Sequence, residues 1–226
     1  MFVGHYAVAL AAKAAEPRAP LWTYVAGCQL MDIGWSALVM GGVEKVRIDP
    51  SLAGSPLDLY YMPYTHSLPG SLVLSVAAAI AVRLLLRLPW RAAVLVGMSV
   101  FSHWVLDLLV HRPDLELWFG GPKVGLGWWN YPAPELALEM GLVALAGVAW
   151  TAQRKSAGRA AWPALGFMAA LVALQIISEL GGGGSDPKSF APTALAVYLA
   201  MAGLAWLVDR NPGVREPADA KAPAAA

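Results

Sequence analysis

The sequence predicts an all-α, polytopic membrane protein, and three observations support this prediction. The chain has 226 residues, of which 58% are hydrophobic and 14% are charged, so it is far more apolar than a typical soluble domain. Apolar runs of about 20 residues recur between polar breaks that contain proline or glycine. These runs lack the strict alternation of barrel strands, which leaves helices as the way to satisfy backbone groups in lipid.

We expect about six spanning helices, preceded by a short N-terminal half-helix. The spanning runs cover residues 21–41, 68–88, 90–110, 133–152, 162–180 and 191–208. The run before the "EPRAP" turn is too short to cross, so it is expected to fold back on the first spanning helix as an antiparallel hairpin. Because it lacks a basic n-region and contains His5, we do not expect a cleaved signal peptide.

The chain is expected to form one membrane-embedded domain over residues 1–209. Residues 1–131 hold the candidate site, and residues 132–209 form supporting helices. The last segment, residues 210–226, is rich in proline, alanine and charge, which predicts a disordered cytoplasmic tail.

The distribution of basic residues predicts the orientation in the cell's inner membrane. When alternate loops are assigned to opposite sides, eleven of the sixteen Lys and Arg residues share a side with both termini, which are therefore expected to be cytoplasmic. The opposite side carries five: Lys45, Arg47, Arg112, Lys123 and Lys188. The net charge of +1 provides no field that would attract nucleic acid, and the sequence leaves the oligomeric state open.

One apolar stretch contains three ionisable residues at helical spacing. His103, Asp107 and His111 form the pattern HxxxDxxxH within "AAVLVGMSVFSHWVLDLLVH". Residues four apart lie on the same face of a helix, so two imidazoles and a carboxylate face one stripe. This arrangement is typical of a metal site.

The predicted hairpin and spans bring other polar residues to the same depth. His5 and Asp32 lie 13 and 14 residues from the arginine of the turn, so each is roughly 20 Å from it along a helix. His103 reaches a similar level, roughly 21 Å beyond the preceding proline. His66, in "YTHSLPG", comes from the other side and would have to dip inward by several ångströms.

These residues are expected to share a divalent cation. A lone ionisable residue inside the membrane costs between ~2.5 and 10 or more kcal/mol, whereas a cation satisfies neutral imidazole and ionised carboxylate together. Ligands of nitrogen and oxygen without cysteine favour Zn²⁺, with Mn²⁺ or Fe²⁺ as alternatives. The predicted ligands are His5, Asp32, His66, His103 and Asp107, with His111 as an additional ligand or a proton shuttle.

Five ligands exceed the three of a mononuclear catalytic zinc site. The sequence therefore predicts either two metal ions or one carboxylate that is free to act as a general base. We assign that catalytic role to Asp32. Glu135 and Glu139 share a helix face, and the sequence leaves open whether they reach toward the site or pack elsewhere.

The order of these motifs resembles that of a known family. Gly4-His5, Met31-Asp32, Thr65-His66-Ser67 and the helix from Ser102-His103 to Asp107 are similar to motifs of the YdjM-like family. Its members are LexA-binding inner-membrane proteins that are predicted to be metal-dependent hydrolases. The resemblance covers roughly residues 1 to 125, and the ligand order is also remotely similar to that of zinc-dependent phospholipase C, an all-helical soluble fold.

The chain departs from the family pattern at two of these motifs. The family's aspartate usually follows a proline, whereas this chain has "LMD", and the lead-in "HRGxTHS" is reduced to "YMPYTHS". The candidate ligands are kept, but the departures weaken any transfer of substrate from the family.

The expected function is hydrolysis by a metal-activated water of an ester or phosphodiester in a lipid or another amphiphile. Arg112 and Lys123 would bind an anionic headgroup, or would instead be solvated or face lipid. The alternatives are an ion- or proton-coupled transporter and a non-catalytic scaffold with a structural metal.

Overall fold

The computed structural model describes residues 1–181 and 186–209, and in these residues the fold is an all-α bundle, as predicted. The predicted tail, residues 210–226, lies outside the described residues. The helices are α1 (His5–Ala15), α2 (Leu21–Cys28), α3 (Leu30–Met40), α4 (Leu68–Leu85), α5 (Trp90–Val110), α6 (Pro132–Ser156), α7 (Trp162–Leu180) and α8 (Pro187–Asp209).

Five of these helices, α4 to α8, are long and apolar enough to cross a membrane. They correspond to five of the six predicted spans. The sixth, predicted over residues 21–41, is two helices, α2 and α3, which are separated at Gln29. Gln29 has φ −108° and ψ 4°, outside the helical range, so the chain is broken in the middle of the predicted span.

The N-terminal half-helix is confirmed, and it lies inside the bundle. Helix α1 packs against α2, α5 and α6. Tyr6 and Leu10 are fully buried in a large apolar core with Tyr24 of α2, Trp150 of α6 and Phe167 of α7. Because α1 is surrounded by other helices, residues at its N-terminal end are held against the end of α5.

Two small hairpins close one end of the bundle, and the sequence reasoning did not predict them. Strand β1 (Lys45–Ile48) pairs with β2 (Leu57–Tyr61), and β3 (Leu115–Glu116) pairs with β4 (Lys123–Val124), both antiparallel. A second apolar cluster lies beneath them and includes Val46, Leu59, Val110, Leu115 and Trp129. The hairpins therefore form a packed cap over the end of α5.

At the opposite end, a buried ion pair ties α1 to α8. Lys13 Nζ lies 2.7 Å from Asp209 Oδ2 and also donates to the carbonyl oxygens of Pro17 and Ala19. Its side chain is 3% exposed, so its charge depends on these partners.

Lys13→Met should lower the free energy of unfolding by about 3 kcal/mol, because it leaves the Asp209 carboxylate largely buried without its cation. Thermal unfolding in detergent measures this loss. Lys155→Met makes the same change at an exposed position and should have little effect. Equal destabilisation by the two variants would contradict the structural role of the pair.

Candidate metal centre

Helix α5 provides the centre of the candidate site. His103 and Asp107 lie one turn apart on the buried face of α5, and His111 caps the helix one turn further along. Each of the three is at most 3% exposed. Asp107 lies at the point where the ends of α1 and α3 and the "THS" segment meet α5.

The Asp107 carboxylate lies close to all four histidines of the chain. Its Oδ1 is 3.1 Å from Nε2 of His5 and 3.3 Å from Nε2 of His111. Its Oδ2 is 3.2 Å from Nε2 of His103 and 3.7 Å from Nε2 of His66. The two carboxylate oxygens therefore face two different pairs of imidazoles.

Asp32 completes the group formed by Asp107 Oδ2, His66 and His103. It lies in the first turn of α3, directly after the break at Gln29. Its Oδ1 is 3.4 Å from Nε2 of His66 and 3.5 Å from Nε2 of His103. Four predicted residues from three separate stretches of chain therefore meet at one place: Asp32, His66, His103 and Asp107.

The break in the first predicted span also positions His103. Nδ1 of His103 lies 2.7 Å from the carbonyl oxygen of Cys28, the last residue of α2. A carbonyl oxygen only accepts, so Nδ1 carries the proton and a neutral ring has its lone pair on Nε2. Irregular backbone is tolerated inside a membrane protein where a partner satisfies it, and His103 is that partner.

The "THS" segment holds His66 by a relay of hydrogen bonds. The Thr65 hydroxyl donates to the Glu44 carboxylate (2.7 Å) and therefore accepts from Nδ1 of His66 (2.8 Å). Glu44 also accepts from the backbone N–H groups of Tyr64 and Thr65. The indole of Trp104 donates to the His66 carbonyl oxygen. These contacts account for the inward position of His66 that the sequence could not explain.

His111, like His66, is oriented by an acceptor at Nδ1. Its Nδ1 lies 2.9 Å from Asp114 Oδ1, and its ring packs on Trp129 with centroids 4.0 Å apart. The carboxylate accepts from Nδ1, so Nε2 of the neutral ring presents its lone pair to Asp107.

His5 is held by ring stacking. Its ring is parallel to that of His103, with the centroids 3.7 Å apart and an angle of 2° between the planes. Neither of its nitrogens forms a hydrogen bond. The α-amino group of Met1 also donates to Asp107 Oδ1, at 3.0 Å.

The donor atoms of the cluster and the distances between them fit a divalent cation. Hydrogen bonds between a charged N–H and a carboxylate are about 2.7–2.9 Å long, whereas the contacts between imidazole and Asp in this cluster are 3.1 to 3.7 Å. Two ligand atoms bound tetrahedrally to one Zn²⁺ lie about 3.4 Å apart, since each is roughly 2.0–2.2 Å from the ion. The atoms Asp107 Oδ2 and His103 Nε2 have no hydrogen-bond partner.

Two overlapping sets of three ligand atoms lie within 4.8 Å of one another. One set contains His5, His103 and Asp107, and the other contains Asp32, His66 and His103. The Nε2 lone pair of His103 belongs to both sets, and it can bind one ion only.

Three supporting residues were missed by the sequence reasoning: Glu44, Asp114 and Tyr198. Tyr198 of α8 lines the same cavity as Asp32 and interacts electrostatically with it. The sequence did contain a signal for two of them. Asp114 follows His111 by three residues, and Tyr198 is the one polar side chain in the apolar run between Thr193 and Trp206. No local pattern marks Glu44, which lies 21 residues before its partner Thr65.

Arg112 and Lys123 are close to the site in sequence but bind loop backbone. Arg112 donates to Asn130 and to the carbonyl oxygens of Ala53 and Ser55. Lys123 donates to the carbonyl oxygen of Tyr60. These contacts tie the two hairpins together, and binding of an anionic headgroup by these cations stays a prediction.

Comparison of the chain with protein-family models, with curated proteins and with solved structures finds no match. The resemblance to the YdjM-like family therefore rests on the ordered motifs alone.

Glu44→Ala should lower the free energy of unfolding by about 2 kcal/mol, because three donors of Tyr64 and Thr65, two of them buried, lose their acceptor. Thermal unfolding in detergent measures this change. Asp58→Ala removes a carboxylate that is one-third exposed and pairs with Arg47, and it should cost about 1 kcal/mol or less. An unchanged midpoint for Glu44→Ala would show that the relay does not hold the segment.

Proposed function

We propose that this protein is an integral-membrane, metal-dependent hydrolase that acts on an ester or phosphodiester of a lipid or another amphiphile. The observation that carries the proposal is the cluster itself. Nε2 atoms of four imidazoles, on three segments of the chain, converge on Asp107. In three of these rings an acceptor at Nδ1 directs the Nε2 lone pair inward. Lone pairs that face a carboxylate require a cation between them, either a proton on each ring or a metal ion.

A metal ion accounts for the cluster better than protonated rings do. Nδ1 of His66, His103 and His111 already carries a proton, so a second proton on Nε2 would make each of these rings an imidazolium. Three imidazolium rings and the α-amino group of Met1 would bury four positive charges beside Asp32 and Asp107. One divalent ion satisfies Asp32, His66, His103 and Asp107 with fewer buried charges.

The first ion is assigned to the group around Asp107 Oδ2. Its ligands are Asp32, His66 and His103 together with this oxygen, and the four measured contacts between these ligand atoms are 3.2 to 3.7 Å. Asp107 Oδ1 faces His5 and His111 on the other side, so the same carboxylate is able to bridge to a second ion. Zinc is the proposed metal, with manganese or iron as alternatives.

Hydrolysis is the chemistry that such a centre supports. A bound divalent ion lowers the pKa of its water toward ~7 and so supplies a nucleophile. Asp32 is the most exposed carboxylate of the cluster, at 16% of its side chain, and it lines the adjoining cavity. Oδ1 of Asp32 faces His66 and His103 and is assigned to the ion. The second oxygen of the same carboxylate is assigned as the base that accepts the water's proton.

The position of the cluster favours an enzyme over a transport path. The cluster lies near the hairpin-capped end, whereas the bundle beyond it is filled by Tyr6, Leu10, Tyr24, Phe167 and Trp150. With the "EPRAP" turn and the end of α8 on the cytoplasmic side, as the basic residues predict, the site would open at the outer face of the inner membrane. Met1 is buried at the site and would then lie within the bundle, away from the cytoplasm.

Metal analysis of the detergent-purified protein tests the centre. Wild type should contain at least one divalent ion per chain, and His103→Ala and Asp107→Asn should lose it while remaining folded. Ser99→Ala changes a buried polar residue one turn before His103 and should keep the metal. Metal-free wild type after growth with zinc, manganese and iron would contradict the proposal.

Turnover separates the enzyme from a scaffold or a transporter. Amphiphilic esters and phosphodiesters should be cleaved by wild type, with loss of cleavage on chelation and recovery on adding zinc. Stoichiometric metal without cleavage of any substrate would support a structural metal. Ion flux through proteoliposomes without cleavage would support a transporter.

Thr65→Val should weaken metal binding about 10- to 100-fold, because Nδ1 of His66 loses the acceptor that fixes its tautomer. Competition with a chelator of known affinity measures the change. Thr151→Val removes a hydroxyl that donates to a helix carbonyl in α6 and should leave the affinity unchanged. Equal affinities for Thr65→Val and wild type would show that the relay does not orient a ligand.

A further inference from the structure

A cavity of about 540 Å³ connects the cluster with α6, α7 and α8. Five carboxylate side chains line it, and within the described residues no lysine or arginine side chain does. The five are Asp32, Asp107, Glu135, Glu139 and Glu179. The proposed metal offsets the charge of the first two. The α-amino group of Met1 also lines the cavity and interacts with Asp107, Glu139 and Glu135, but it carries one positive charge against three further carboxylates, so the wall opposite the cluster remains acidic.

Most polar atoms on this acidic wall have partners within the protein. Both oxygens of Glu139 accept backbone N–H groups, from Phe2 at 2.7 Å and from Gly4 at 2.8 Å. The Gln175 amide nitrogen donates to Glu179 Oε1 at 2.9 Å.

Two acceptors on the same wall have no donor. Oε1 of Glu135 and Oε1 of Gln175 are buried without a hydrogen bond, and the two residues are 8% and 5% exposed. Glu135 also lies against the carboxyl group of Glu139, which adds negative charge to its surroundings. Buried acceptors without a donor are costly, so this wall is suited to a ligand that brings N–H groups and positive charge.

The rest of the cavity wall is apolar, and it is formed by side chains of α7 and α8. Leu174 and Ile177 of α7 and Phe190, Ala194 and Val197 of α8 line it. Ile177 is 66% exposed, so this side of the cavity reaches the surface of the bundle that faces lipid. A hydrocarbon chain fits this wall because it loses no hydrogen bonds there.

We propose that the ligand of this cavity is an amphiphile with a protonated amino group, which Glu135 and Gln175 bind, and a hydrocarbon chain that lies between α7 and α8. This inference rests on the proposed function, since it makes that amphiphile the substrate and sets its ester or phosphodiester at the metal centre. It also predicts that the acidic wall, and not Arg112 or Lys123, selects the headgroup.

Binding of a non-hydrolysable ligand tests this selectivity without relying on turnover. The probes are two ether-linked amphiphiles of equal chain length, one with a primary ammonium headgroup and one with a hydroxyl in its place. Calorimetry on the detergent-purified, metal-loaded protein should show at least tenfold tighter binding of the ammonium probe. A short water-soluble alkylammonium salt should compete poorly, because it lacks the chain that contacts α7 and α8.

Glu135→Gln should remove most of this preference, since it deletes the charge and keeps the shape, and Gln175→Leu should reduce it. Glu116→Gln changes a buried carboxylate in the β3–β4 hairpin, outside the cavity, and should retain the full preference. Thermal unfolding in detergent reports whether each variant is folded. For a Glu135→Gln protein that fails to fold, Glu135→Asp takes its place and should weaken the preference.

Three results would overturn the inference. These are equal binding of the two probes by wild type, a full preference in folded Glu135→Gln, and equally tight binding of the soluble alkylammonium salt. A preference without any cleavage would leave the amine site standing and refute the hydrolase. Cleavage without a preference for the ammonium probe would refute the amine site and leave the hydrolase standing.

Discussion

The structure depends on one buried carboxylate, that of Asp107. Its two oxygens lie within 3.7 Å of the Nε2 atoms of His5, His66, His103 and His111. Each histidine comes from a different place: the start of α1, the loop before α4, the middle of α5 and the end of α5. A carboxylate at 1% exposure cannot remain ionised there without positive charge. The α-amino group of Met1 supplies one positive charge at Oδ1, and the three segments that carry the histidines are positioned around the same carboxylate.

The second constraint is the orientation of the imidazoles. In three of the four rings, Nδ1 is held by an acceptor: the Cys28 carbonyl, the Thr65 hydroxyl or the Asp114 carboxylate. Each of these contacts fixes the tautomer and directs Nε2 toward Asp107. The break between α2 and α3 belongs to this system, because it frees the carbonyl that His103 binds. The irregular backbone and the polar cluster therefore stabilise each other inside an apolar bundle.

The sequence predicted those features that follow from helix geometry. Fixed rise per residue placed His5, Asp32 and His103 at one depth, and the structure brings these residues together. The sequence could not place His66. The path of its loop is set by the contact between Thr65 and Glu44, which are 21 residues apart in the chain. The short hairpins and the cavity beside α7 and α8 arise from packing between distant segments. The hydrophobic periodicity of one segment does not predict its contacts with distant segments.

The central claim is that a divalent ion lies between Asp107 and the imidazoles. An anomalous difference map from crystals of the purified protein, collected at the zinc edge, tests it most directly. The account predicts a peak about 2.0–2.2 Å from Nε2 of His66 and His103 and from a carboxylate oxygen of Asp32. An empty map, with imidazole–carboxylate contacts shortened to about 2.8 Å, would instead show rings that carry protons.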